Sequence, residues 1–279
     1  MPRIFDFAGR EVERRQTVAG LRALKGSAQR VAQTTAETAE EAAAAEEAGV
    51  EMVVCRGANV RQVRAGSQRL FVTAALGFTQ AVTADEMLRA AFDAISAGAD
   101  AVITARGYEM VRMLAAESIP VVGHLGFVPR KSTWFGAVRA VGKTAAEAIE
   151  LWDRFRRLED AGAFAAECEV IPAAVLAEIN RRTSLVTISL GSGADADVIF
   201  LFASDICGES SKRPRHARAW GDLAKLYRAM RDERVNALAG FRAAVASGDF
   251  PAAGEIAAIP SRELDEFCAR LGAVYKDDK

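Results

Sequence analysis

Eight short apolar runs, each set apart from the next by a turn signal or a stretch with helical character, most constrain how this chain can fold. They lie at residues 29–34, 51–55, 70–74, 101–104, 119–122, 163–168, 185–190 and 198–203. Strands that alternate with helices read as parallel β-strands with crossovers, and eight such repeats predict a closed (β/α)8 TIM barrel. The helical stretches carry their own start and stop signals. Residues 38–48 are rich in Ala and Glu and end at Gly49. Thr83 and Glu86 form a capping-box pair before a helix over 84–97. Residues 108–116 make the next helix, and Thr144 caps a longer one whose apolar residues recur at helical spacing. Pro172 sits at the first turn of another. Between residues 56 and 69 there is room for only a turn or two of helix.

Outside the repeats, residues 11–25 read as an extra N-terminal charged helix. The residues beyond 217 read as a C-terminal helical segment, stopped by Gly248 and Pro251. No Pro-, Gly- or Ser-rich linker divides the chain, so the reading is one domain over residues 1–279. At 279 residues, 51% of them hydrophobic, the chain suffices for one large core. A net charge of −1 offers no bulk field for nucleic acid or membrane as a partner. The apolar runs are too short to span a bilayer, and the charged N-terminus lacks a secretory core. Four cysteines (Cys55, Cys168, Cys207, Cys268) without a C-x-x-C pair suit a reduced, cytoplasmic setting.

Residues 119–144, IPVVGHLGFVPRKSTWFGAVRAVGKT, form a strand, a long loop and a helix start. Long loops at strand ends usually carry function. This stretch resembles the ketopantoate hydroxymethyltransferases (3-methyl-2-oxobutanoate hydroxymethyltransferases), of the wider phosphoenolpyruvate mutase and isocitrate lyase superfamily. The matching residues are Gly123-His124-Leu125-Gly126, Pro129, Phe135-Gly136 and Gly142-Lys143, with no gap in spacing. The likeness extends from about residue 29 to 251 and includes Ala161-Gly162-Ala163 through Glu169 and Pro172. It implies the barrel, a homo-oligomer and a place in pantothenate biosynthesis. It also implies aldol transfer of a one-carbon unit from 5,10-methylenetetrahydrofolate to a small 2-oxo acid, with Mg2+ at the site.

The family's catalytic glutamate falls on Glu169. A carboxylate at a strand end facing a cleft can serve as a general base, or it can be a salt-bridged rim residue. Glu167 competes for the role, since strand alternation puts both on one face. His124 matches the family histidine and either contacts substrate or only holds the loop by a hydrogen bond. Ser189 precedes Gly191 and Gly193 where the family has a glycine-rich strand end; a substrate contact and a tight turn both explain it. Cys55 and Cys168 read as small core residues.

The likeness fails where the family binds its metal. Its ligand carboxylates end the second, third and fourth strands, where this chain has Arg56, Ala75 and Ala105. A family lysine falls on Ile103. Mg2+ is usually anchored by one or two carboxylates in octahedral oxygen coordination, so the family's Mg2+ site is expected to be absent. Arg56, with Arg106 beside the lost fourth-strand ligand, is the candidate to hold a 2-oxo acid by fixed charge. Alternatively, Arg56 pairs with Glu167 or Glu169 and fills the space.

Three functions remain open. One is the family reaction in a hydroxymethyltransferase-like enzyme. The second is a metal-independent carbon–carbon lyase or hydrolase acting on a small oxo or dicarboxylic acid, by fold-level analogy. The third is a binding or structural homologue without turnover.

Overall fold

A computed structural model describes residues 3–77, 79–210 and 212–274. Phe78 and Ser211 lie outside the described residues. The chain forms two compact units, residues 1–221 and 222–279.

The first unit opens with an antiparallel pair, β1 (Ile4–Phe5) and β2 (Glu11–Val12), and then α1 (Val18–Ala23). The helix expected over 11–25 is therefore confined to its last turns. Glu11 is drawn into the hairpin by paired hydrogen bonds from Arg3, at 2.8 and 2.9 Å. Thr17 caps α1 by accepting from the Gly20 amide.

The repeats follow: β3 (Val31–Thr35), α2 (Ala39–Glu47), β4 (Met52–Arg56), α3 (Val60–Gly66), β5 (Phe71–Ala75), α4 (Ala84–Ser96), β6 (Ala101–Ile103), α5 (Tyr108–Ala116), β7 (Val121–Gly126), a short α6 (Ser132–Phe135), α7 (Ala145–Asp160), β8 (Ala165–Glu169), α8 (Ala173–Asn180), β9 (Val186–Leu190), β10 (Val198–Phe200) and α9 (Ala203–Ile206). The parallel strands close in the order β10-β3-β4-β5-β6-β7-β8-β9, a (β/α)8 TIM barrel. The capping pair Thr83/Glu86 forms as expected at the start of α4, and a second one, Thr38/Glu41, opens α2.

Strand alternation divides the core in two. Met52, Phe71, Val122, Ala165, Val186 and Val198 fill the barrel interior, with Phe71 and Phe164 meeting edge to face at 6.3 Å. Their neighbours Val53, Val72, Val121 and Ala166 face outward against the helices. Below this core, Arg14 and Arg64 converge on Asp100 at 2.8 and 2.5 Å, and Lys25 meets Asp197 at 3.0 Å.

The second unit consists of α10 (Leu223–Ser247), a 3-10 turn at Ala253–Glu255 and α11 (Ser261–Val274). The helix after Pro251 was not expected from the sequence; Ser261 opens it, with Glu263 in its first turn. No residue of α10 is buried, and Phe241 packs on Phe250 at 5.4 Å. No helix among the described residues is long and apolar enough to cross a membrane.

Candidate functional site

A cavity of ≈ 1100 Å³ opens at the C-terminal ends of the strands, where barrels of this kind place their chemistry. Its lining includes Arg56, Ala75, Ala105, His124, Glu167 and Glu169.

β7 runs to Gly126 rather than stopping at Val122, so His124 belongs to the pleat and not to the loop. It shares parity with the inward-facing Val122 and projects into the mouth. The two glycines around it have separate steric causes. A Cβ at Gly123 would lie 2.4 Å from a methyl of Leu158, so that glycine lets α7 close on the sheet. Gly126 has φ +84°, and a Cβ there would lie 2.3 Å from the carbonyl oxygen of Glu169. The Phe127 amide donates to that same carbonyl at 2.8 Å, which sets the height of Glu169 against β7.

β7 and β8 pair His124 with Glu167 and Gly126 with Glu169. The histidine thus stands beside both carboxylates. His124 Nε2 is 2.9 Å from Glu169 Oε2 and 3.6 Å from Glu167 Oε1, and all three side chains are at most 14% exposed. Burial disfavours the imidazolium, but the hydrogen bond to Glu169 and the charge of Glu167 outweigh it and raise the His124 pKa. Burial pushes Glu167 up, against the lowering effect of His124 and together with repulsion from Glu169. The pleat brings both Glu167 and Glu169 to one histidine. Val170, directly after Glu169, has φ +49°, an unfavourable conformation for a β-branched residue. Its amide donates to Leu190 O at 2.9 Å, and its carbonyl accepts from Val141 at 3.1 Å, which hold it there.

The other expected contacts fall differently. Arg56 is in the cavity wall, but its partner is Glu37, with Nε 3.9 Å from Oε1, rather than Glu167 or Glu169. Its side chain is 78% exposed. Glu37 also accepts from the Arg56 amide at 3.0 Å and from Asn59 Nδ2 at 2.7 Å. Nothing in the sequence pattern singled out Glu37. Arg106 is outside the cavity lining: Nη2 donates to Ala81 O, and Nε is buried without a partner among the described residues. Ser189 has the outward parity of β9, opposite to the inward Ile188. Its hydroxyl donates to Gly193 O at 2.7 Å and accepts from the Ser192 amide at 3.1 Å, so it ties the turn and does not line the cavity. Cys55 and Cys168 are buried; burial, with the charge of Glu37, pushes the Cys55 thiol up to about 12.

The places where the resemblance puts the family's magnesium ligands present a guanidinium and two methyl groups. Arg56, Ala75 and Ala105 offer no side-chain oxygen, and the nearby Glu37 is occupied by Arg56 and Asn59. None of these three side chains supplies the carboxylate oxygen by which Mg2+ is usually anchored. A different set of possible ligands stands on β7 and β8: His124, Glu167 and Glu169 place one ligand atom each within 4.8 Å of one another.

Among solved structures, the fold is similar to phosphonopyruvate hydrolase (TM-score 0.52, 14% identity, covering 93% of this chain and 99% of that one). It is equally similar to 2,3-dimethylmalate lyase (TM-score 0.52, 14% identity, 78% and 86% covered). These likenesses show the fold, a parallel (β/α)8 barrel. Sequence likeness is narrower. The pattern of ketopantoate hydroxymethyltransferase matches residues 57–253. The chain is 31% identical over 278 residues to 3-methyl-2-oxobutanoate hydroxymethyltransferase of Roseiflexus sp. (strain RS-1), covering 90% of this chain and 98% of that protein. It is 33% identical over 198 residues to the enzyme of that name from Pyrobaculum calidifontis, with 70% and 72% covered. The chain belongs to the ketopantoate hydroxymethyltransferase family.

Proposed function

We propose that this protein adds a hydroxymethyl group to a small 2-oxo acid of the 3-methyl-2-oxobutanoate type, with no divalent ion at the family's place. The supporting observation is the close His124–Glu169 contact at the floor of the strand-end cavity. In this reading Glu169 takes the proton from the carbon beside the keto group, leaving an enolate. The enolate carbon then bonds to a one-carbon unit. Overall a C–H bond becomes C–CH2OH, with the carbon drawn from methylenetetrahydrofolate and the oxygen from water. His124 hydrogen-bonds the substrate where negative charge develops. Arg56, held loosely by Glu37, has a guanidinium free enough to turn onto the substrate carboxylate.

Exchange of the substrate's C3 proton in D2O isolates the first step. With chelator present, wild-type protein should catalyse the exchange and Glu169→Gln should not. Equal exchange by the two proteins would refute the assignment. Turnover with and without methylenetetrahydrofolate tests the donor. The lyase and binding-protein readings draw no comparable support from the site geometry.

A further inference from the structure

Several carboxylates deep in this fold are matched by cations, whereas the two at the mouth are not matched by Lys or Arg among the described residues. Asp100 meets two arginines, Asp197 meets Lys25, and the half-buried Glu147 meets Arg139 at 2.8 Å. Glu167 and Glu169 share a single imidazole, and no Lys or Arg pairs with either among the described residues. With both carboxylates ionised, even a fully charged His124 leaves one negative charge over. Glu167 is 7% exposed, and no protein hydrogen-bond donor reaches it among the described residues; its nearest partner is His124 at 3.6 Å. Buried charges are normally paired or bound to a cation.

The spacing suits a cation. Two ligands at right angles, each about 2.1 Å from one ion, lie about 3.0 Å apart. The observed 2.9 and 3.6 Å bracket that value, and all three donors converge within 4.8 Å. They sit on paired strands, which hold ligands more rigidly than loops do, and they face a cavity through which an ion can enter. One imidazole with two carboxylates favours first-row transition cations over Mg2+.

We propose that His124, Glu167 and Glu169 form a binding site for one divalent first-row transition cation. These donors lie on different strands from Arg56, Ala75 and Ala105, so this site is distinct from the one the family's ligands would make. Its consequence for activity rests on the proposed function: a Glu169 that ligates an ion cannot accept the substrate proton, so the ion inhibits.

The test is calorimetric titration of the chelator-stripped full chain with Zn2+, alongside the visible spectrum with Co2+. One ion per chain is expected, with a Co2+ spectrum of nitrogen and oxygen ligands. Glu167→Gln should weaken binding at least about tenfold, with the melting curve recorded to confirm folding. Glu169→Gln should weaken it similarly and serves if the first variant misfolds. Absence of saturable binding overturns the site. So does equal affinity in wild type and both variants, or a thiolate charge-transfer band, which would locate the ion at a cysteine. Proton exchange is followed in parallel. Exchange that persists in chelator and stops on adding Zn2+ supports the inhibition. Exchange that needs the ion overturns the inhibition and the role of Glu169 as base. No exchange under any condition removes the proposed function, while the titration still decides the ion site.

Discussion

Replacing Asp100 by alanine removes the carboxylate at the barrel's lower end on which two arginines and an amide converge. Oδ1 accepts from Arg14 Nε at 2.8 Å, and Oδ2 accepts from Arg64 Nη2 at 2.5 Å and from the Val72 amide at 2.8 Å. The arginine side chains are 4% and 7% exposed, so neither can turn to solvent without local unfolding. Removing one partner of a buried ion pair costs about 3–5 kcal/mol. Two pairs share this carboxylate, so their losses do not add. Backbone carbonyls remain as acceptors: Gly98 and Leu70 for Arg64, and Gln68 for Arg14. We therefore expect a loss of about 4 kcal/mol, in the middle of the range for one pair. For a unit of this size that corresponds to roughly 8–16 °C in melting temperature. Urea unfolding followed by circular dichroism measures it, and the m-value should stay constant if only stability changes. Asp100→Asn, which keeps an acceptor without the charge, should fall between alanine and wild type. A loss below about 1 kcal/mol for the alanine variant, the range of an exposed pair, would refute the argument.

Glu169→Gln should act in the opposite manner, lowering C3-proton exchange by about 10²–10⁴-fold with little change in the urea midpoint. Unchanged exchange would exclude it as the base. Gly123→Ala forces a methyl into the side chain of Leu158 and should destabilise by about 1–3 kcal/mol, read from the same unfolding curve. Arg56→Ala should weaken 2-oxo acid binding in a thermal-shift titration; undiminished binding would remove that arginine from the substrate contact. The raised pKa of His124 sets the sign of a pH effect. Its stabilisation is fully present below the unfolded-state value of about 6.5 and is lost as pH rises through the higher folded value. The stability gap between wild type and His124→Asn, measured in chelator, should therefore narrow as pH increases above about 6.5. A gap that widens would contradict the sign.

The barrel was legible in the residues because it depends on local signals. Apolar runs of strand length, Thr83 with Glu86 before α4, and helical spacing after Thr144 act over a few positions and need no distant partner. The same alternation that makes Val122 and Ala165 face inward placed Glu167 and Glu169 on one face in advance. The family motif marked His124 and Glu169 as well, although the steric need for Gly123 and Gly126 comes from Leu158 and from the Glu169 carbonyl across the fold. Contacts across the fold were decided by the tertiary structure alone. Strand pairing set His124 between two carboxylates, and closure gave Arg56 to Glu37, 19 residues away. The parity of β9 turned Ser189 to the outside, and the loop after β6 turned Arg106 to Ala81. Such partners follow from strand order, register and the direction of a side chain at closure, and these are properties of the whole barrel that no local window of sequence contains.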